Sequence, residues 1–89
     1  MFKNWVPVKL NPYSGCAWFQ IHGNELALRQ VNGCGEILEG VASGVYVYEL
    51  VGLELDKADD EQLQQTVCTI LLDDIIQFSV IGVVQEIKQ

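Results

Sequence analysis

Apolar and polar residues alternate through two neighbouring segments, residues 16–22 and 25–31, which are separated only by Gly23 and Asn24. Gly followed by Asn is typical of the two-residue turn of a β-hairpin, and such a turn fixes the register of the flanking strands. The predicted register pairs His22 with Glu25, Ile21 with Leu26, Gln20 with Ala27, Phe19 with Leu28 and Trp18 with Arg29. The pattern therefore predicts a hairpin with one apolar face and one polar-aromatic face.

Further apolar segments lie on both sides of this hairpin. Val6, Val8 and Leu10 share one face of a predicted first strand, and Pro7 favours a sheet edge because it has no N–H to donate. Residues 36–44, which contain two glycines, are compatible with either an irregular strand or a loop.

The second half of the chain is interpreted mainly as strands. The longest predicted strand runs from Val45 to Leu55, with Gly52 marking a bulge. Residues 56–65 are polar and predict either one or two helical turns or a loop. β-Branched residues favour further strands in the segments 66–72, 75–81 and 82–87, with a turn at Asp73-Asp74 after the first of them.

Five or six short strands and one polar connector within 89 residues indicate a single domain that covers residues 1–89. We predict an all-β domain: a small five- to six-stranded, strongly bent antiparallel barrel with one short polar or helical connector. A barrel is favoured because closure removes the unpaired edges of an open sheet.

The strand order resembles that of Sm-like proteins, which are small SH3-like barrels. The resemblance is carried by the early strand with Val6, Val8 and Leu10, the curved central strands, the polar connector and the closing segment 66–78. It implies a barrel whose closing strands pair with neighbouring subunits in a ring that in this family often binds RNA. The family's Asp…Met-Asn pattern and its Arg-Gly or Lys-Gly before the last strand, which hold a base, do not occur in this sequence.

The formal net charge of −7 is unevenly distributed. Residues 1–35 carry three basic residues and one acidic residue (+2), whereas residues 36–89 carry two basic and eleven acidic residues (−9). Such a surface repels phosphate, which disfavours nucleic acid and anionic membranes. It suits a basic protein partner, weakly held metal cations or simply solubility. In the alternative in which the chain is an Sm-like ring subunit, Lys3, Lys9 and Arg29 are the candidates for contacting RNA.

Cysteine content and hydropathy predict the compartment. Cys16, Cys34 and Cys68 leave one thiol unpaired in any disulfide scheme and form no CxxC motif. Reduced thiols in the cytoplasm are the simplest interpretation. The sequence has no apolar run of signal-peptide length and none near the ~20 residues of a membrane span, so we expect no membrane association.

Residues that could carry chemistry form no catalytic arrangement. His22 beside Glu25 favours a surface ion pair, because the chain has one histidine and no nucleophile tied to it. Cys34 lies near Glu36, whose negative charge does not favour a thiolate. The acidic residues of 56–61 lack the spacing and the glycine of a calcium loop. We therefore predict that the protein is not an enzyme and has no catalytic residue, metal site or cofactor.

Aromatic residues outside the predicted core indicate either an interface or a face that the polar connector covers. Trp18 and Arg29 are expected to stack across the hairpin in a cation–π contact worth ~0.5–1 kcal/mol, and such residues are typical interface anchors. The interface candidates are Trp5, Trp18, Arg29, Tyr46, Tyr48, Phe78 and Ile81. A small core and apolar sheet edges favour self-association. The predicted function is a non-enzymatic binding or assembly module, either a homo-oligomer or a domain that docks on a protein partner.

Overall fold

The structure of the protein is a computed structural model, which describes residues 5–11, 13, 15–73 and 77–83. Within these ranges the chain forms one antiparallel sheet and two helices. The sheet has the order β1-β2-β3-β4-β5, in which each strand pairs with its neighbours along the chain. The elements are β1 (Val6–Pro7), β2 (Ala17–His22), β3 (Glu25–Val31), β4 (Glu36–Ser43), α1 (Gly44–Val51), a 3₁₀ turn (Leu55–Lys57), α2 (Asp60–Asp73) and β5 (Ser79–Val83).

The β2–β3 hairpin has the predicted register, and every predicted pair is present. Gly23 has a φ of +61°, in the left-handed region that a two-residue hairpin turn requires. Phe19 and Leu28 are buried on one face, whereas Trp18 and Arg29 lie on the other. The prediction of two chemically different faces is confirmed.

Residues 36–43 form a regular strand, so of the two interpretations of this segment the strand is correct. β4 pairs with β3 along its whole length, from Glu25 opposite Ser43 to Val31 opposite Ile37. Asn32 organises the connecting turn, because its side-chain Oδ1 accepts hydrogen bonds from the backbone N–H groups of Cys34 and Glu36, both at 2.9 Å.

The predicted antiparallel sheet is confirmed, but the sheet is open rather than closed into a barrel. Among the described residues, β1 and β5 lie at opposite edges and do not pair. Helices occupy most of two segments that were expected to supply barrel strands, residues 45–55 and 66–72. Lys3, Asp74 and parts of the predicted closing strands, residues 75–76 and 84–87, lie outside the described residues.

The predicted strand from Val45 to Leu55 is wrong, because α1 occupies most of this segment. The hydroxyl of Ser43 accepts a hydrogen bond from the N–H of Tyr46 at 3.1 Å and caps the first turn. Gly52 ends the helix with a φ of +73°, and its N–H bonds to the carbonyl of Tyr48. These two caps outweigh the β-propensity of the valines between them.

The predicted strand at residues 66–72 is also wrong, because it is the second half of α2. Asp59 and Gln62 form a reciprocal capping box, in which each side chain accepts from the other's backbone N–H, at 2.8 and 3.1 Å. The helical alternative for residues 56–65 is therefore the one found. Leu63, Val67, Ile70 and Leu71 are buried at helical spacing.

Both helices pack on the same face of the sheet. The core combines one set of alternating strand residues with the inward residues of α1, the 3₁₀ turn and α2. Its members are Val8, Ala17, Phe19, Leu26, Leu28, Ala42, Val47, Leu55, Leu63, Val67, Cys68, Ile70 and Leu71. The domain thus has two layers, and the helices leave the second face of the sheet uncovered.

The edge of the sheet at β1 is closed by α2. The N–H of Val8 donates to the carbonyl of Ala17 on β2, so the groups of Pro7 and Lys9 point away from the sheet. The Gln64 amide binds both, accepting from the N–H of Lys9 at 2.9 Å and donating to the carbonyl of Pro7 at 3.1 Å. The edge position predicted for Pro7 is confirmed. Of the predicted apolar face of this strand, only Val8 is buried, and Val6 and Leu10 are exposed.

Candidate binding face of the sheet

The face that the helices leave uncovered, hereafter the open face, is built by cross-strand pairs. Directly paired residues of an antiparallel sheet project to the same side. Trp18 pairs with Arg29, which pairs in turn with Glu39, and Val31 pairs with Ile37. The open face on β2, β3 and β4 therefore has at its centre Trp18, Gln20, Ala27, Arg29, Val31, Ile37, Glu39 and Val41, with His22, Glu25 and Ser43 at one end.

A cavity of about 280 Å³, hereafter the indole pocket, lies on this face and is lined by Trp5, Trp18, Arg29, Val31 and Ile37. Trp5 directly precedes β1 and brings the second indole of the chain to the pocket that Trp18 already lines. Three strands and the N-terminal segment thus converge on one site. The predicted interface residues Trp5, Trp18 and Arg29 are brought together here.

Arg29 is held in place by two neighbours. Its Nη2 and Nε atoms donate to Oε2 of Glu39 at 2.7 and 3.2 Å, and its guanidinium lies 4.3 Å from the centroid of the Trp5 ring. The ring contact predicted between Arg29 and Trp18 is therefore made with Trp5 instead. A long side chain reaches beyond the residue directly opposite, and Glu39 on β4 fixes where the guanidinium lies.

The chemistry of the indole pocket is apolar and electrically balanced. The Arg29 and Glu39 side chains are 35% and 31% exposed, and each neutralises the other's charge. The remaining walls are two indoles and two aliphatic side chains. An apolar group that enters such a site is shielded from water by the walls. A charged group loses its water there and finds no free charge of opposite sign.

The other interface candidates lie elsewhere in the fold. Tyr46 and Phe78 are partly buried and pack against the core. Tyr48 is exposed on α1, beside a shallow groove that Glu49 and Asp56 also line. The structure therefore separates these tyrosines and Phe78 from the indole pocket.

Ile81 lies on β5, the edge strand opposite β1. Val80, Ile81 and Val83 are 56%, 50% and 64% exposed, and no described residue pairs with the outer side of this strand. The register between β4 and β5 shifts at Ile81, because Gly82 faces Ile37 and Val80 faces Leu38. A bulge of this kind shortens the regular part of an edge, so β5 is exposed but irregular.

The candidate cations for RNA do not form a basic patch in the described part of the chain. Lys9 is exposed beside β1, and the charge of Arg29 is matched by Glu39. Lys57 belongs to the helical layer, where its hydrogen bond and attraction to Glu54 raise the pKa of the lysine.

The described residues that could carry chemistry lie in different parts of the fold. His22 and Glu25 face each other at the end of the hairpin as predicted. Cys16 and Cys34 are exposed, Cys68 is buried, and none is disulfide-bonded. Burial raises the pKa of the Cys68 thiol. In the described ranges, His, Cys, Asp and Glu form no group of three or more that could hold a metal ion, and none of the helices there has the length and hydropathy to span a membrane.

Sequence reasoning missed Val31, Ile37 and Glu39 as members of the site. The available signal was the turn Asn32-Gly33-Cys34-Gly35, which can join residues 25–31 and 36–43 in a second hairpin. A strand in this segment, paired through that turn, places Glu39 opposite Arg29.

Comparisons of the chain with protein-family models, with curated protein sequences and with solved structures give no significant match. The resemblance to Sm-like proteins therefore stays a prediction.

Proposed function

We propose that this domain is a non-enzymatic assembly module, which joins copies of itself or docks on a protein partner through the open face of its sheet. The observation that carries the proposal is the indole pocket. Two tryptophans and an arginine anchored by Glu39 surround an exposed apolar cavity. Trp and Arg are the residues most enriched among the energetic anchors of protein interfaces.

The two-layer architecture supports this proposal. The helices already cover the face of the sheet that forms the core, so the open face makes no comparable contribution to the hydrophobic core. Contiguous exposed apolar patches on small domains mark interaction sites. The exposed edge of β5, with Ile81 at its centre, adds a second surface of the same character.

The test is the molar mass in solution, measured by light scattering across a concentration series. We expect the wild-type mass to rise with concentration above the 9.9 kDa of one chain. Trp18→Ala on the open face and Ile81→Lys on the edge should each move the equilibrium toward the monomer. The control is Val45→Lys, because Val45 is 63% exposed on α1 in the other layer. All variants should keep the wild-type circular dichroism spectrum.

Two outcomes would contradict parts of this proposal. A wild-type mass of one chain at every concentration removes self-assembly and leaves docking on a different partner. An equal loss of assembly in Val45→Lys and Trp18→Ala removes the open face as the contact surface.

The alternative implied by the strand order is an Sm-like ring subunit that binds RNA. The net charge of −7 and the Arg29–Glu39 pair support it less well, because cations that attract phosphate are few or already matched. We expect binding to mixed-sequence RNA weaker than roughly 10⁻⁴–10⁻⁶ M at physiological salt. Submicromolar binding with a steep salt dependence in a fluorescence titration would favour the ring subunit instead.

A further inference from the structure

The indole pocket selects its occupant by charge. Among its described lining residues the one cation is Arg29, which is bonded to Glu39, so these residues offer no net charge. A charged group that enters loses water and gains no counter-ion, whereas an uncharged apolar group gains contact with Trp5, Trp18 and the aliphatic walls. The occupant that matches the walls is uncharged and apolar.

The Arg29 guanidinium also selects for a hydrogen-bond acceptor. Nε and Nη2 both donate to the same oxygen of Glu39. These bonds to Glu39 use Nε and Nη2 and leave Nη1 available to a further acceptor, and the side chain is about one third exposed where it lines the pocket. A guanidinium has five N–H donors and no acceptor, so the group that completes it presents an oxygen.

We propose that the indole pocket binds one uncharged apolar side chain of a protein segment, whose backbone carbonyl accepts a hydrogen bond from Nη1 of Arg29. This inference rests on the proposed function and specifies what the open face recognises. The cavity of about 280 Å³ is at the small end of ligand pockets, which suits one residue better than a large ligand. A peptide unit supplies the neutral carbonyl next to the side chain.

The chain contains its own reporter for this pocket. It has two tryptophans, and both line the cavity, so all of the tryptophan emission comes from the proposed site. The probe is N-acetyl-leucine methylamide, an uncharged residue with both peptide groups, titrated into micromolar wild-type protein with excitation of tryptophan. We expect a saturable change in emission with a dissociation constant in the millimolar range or tighter.

Three related probes test the selection. N-acetyl-glycine methylamide lacks the side chain, N-acetyl-leucine carries a carboxylate, and N-acetyl-lysine methylamide carries a cation. We expect each to bind at least fivefold more weakly than the leucine methylamide. Equal or tighter binding by the glycine probe or by either charged probe would overturn the proposal.

A matched pair of variants locates the binding. Val31→Phe fills the pocket and should weaken the leucine probe at least tenfold. Val41→Phe is the control, because Val41 is the same residue type on the same face, is 51% exposed and does not line the cavity. If Val31→Phe does not give a folded spectrum, Ile37→Phe fills the same pocket from β4. Equal affinities in the folded pocket variant and in the control would overturn the proposal.

The light-scattering test of assembly and the probe titration can give opposite results, which distinguishes the proposed function from this inference. Assembly that Trp18→Ala weakens, together with no selective binding of the leucine probe, leaves the proposed function standing and removes this inference. Selective probe binding by a protein that remains monomeric supports the inference and reduces the proposed function to docking on another protein.

Discussion

The two faces of the sheet are made by the same strands and differ in burial and composition. On the face beneath the helices, Ala17, Leu26 and Leu28 have no exposed surface. On the open face, Val41 is 51% exposed and the Arg29–Glu39 pair remains in contact with solvent. An antiparallel sheet needs only one buried face to be stable, which leaves the residues of the other face available for recognition.

The open face carries more apolar side chains than a solvent-exposed face of a sheet requires. Polar side chains alone would keep such a face soluble, yet this one carries Trp18, Val31, Ile37 and Val41, and Trp5 joins them from outside the sheet. The helical layer carries most of the acidic residues, and charge of this kind favours solubility. The hydrophobic core and most of the acidic charge thus lie on one side of the sheet, and the proposed binding surface lies on the other.

The sharpest test of this comparison removes a similar aliphatic side chain from each face. We expect Leu28→Ala to lower the free energy of unfolding by about 2–5 kcal/mol, because it leaves a cavity between the sheet and the helices. Val41→Ala should cost less than about 1 kcal/mol, because its side chain is already half exposed. Urea denaturation followed by circular dichroism measures both, and similar losses at the two positions would show that the open face is buried in solution.

A smaller effect is expected where the helical layer reaches the edge of the sheet. Gln64→Leu removes both hydrogen bonds to Pro7 and Lys9 and should cost about 1 kcal/mol, because both bonds are partly solvent-exposed. Hydrogen exchange at the Lys9 amide should accelerate. The control is Gln65→Leu on the next, exposed position of α2. Unchanged exchange at Lys9 in Gln64→Leu would show that α2 does not close this edge.

The smallest effect concerns the buried thiol. Burial raises the pKa of Cys68 above its ordinary value of 9.0. The stabilisation linked to this shift is fully present below pH 9.0 and is lost as the pH rises through the raised value. We expect the wild-type protein to lose stability relative to Cys68→Val as the pH rises above 9.0, with Cys34→Val as the exposed control. Equal alkaline losses in wild type and Cys68→Val would contradict this assignment.

The hairpin was predictable from sequence because its determinants are local. A two-residue turn at Gly23-Asn24 sets the pairing, and a shift of one residue would exchange the two faces, so turn and pattern support one register. The position of Trp18 opposite Arg29 follows directly from this register. The relative positions of two of the five residues that line the indole pocket, Trp18 and Arg29, were therefore predictable from the sequence.

The helices were missed because β-branched composition was given more weight than capping. Ser43 caps the start of α1 and Gly52 caps its end. Asp59 and Gln62 cap the start of α2. Strand propensity depends strongly on context, whereas a cap satisfies backbone groups that otherwise have no partner. With these two segments helical, the five strands among the described residues form an open sheet, because β1 and β5 lie at opposite edges and do not pair.

The rest of the site depends on contacts between distant parts of the chain. The position of Trp5 over Arg29 requires β1 to lie beside β2, and the Glu39 carboxylate requires β4 to be a strand. Neither follows from the pattern around Arg29 itself. Aromatic residues in a short edge segment identify candidates, but their partners are set by the assembled sheet.

The contact of Gln64 with Pro7 and Lys9 joins two segments that the ribosome synthesises at different times. Pro7 and Gln64 are 57 positions apart, so a chain made at ~5–20 residues per second presents its first strand roughly 3–11 s before the glutamine that closes it is synthesised. During that interval the outward groups of Pro7 and Lys9 depend on water or on another molecule. The outer edge of β1 is thus closed only after Gln64 has been synthesised.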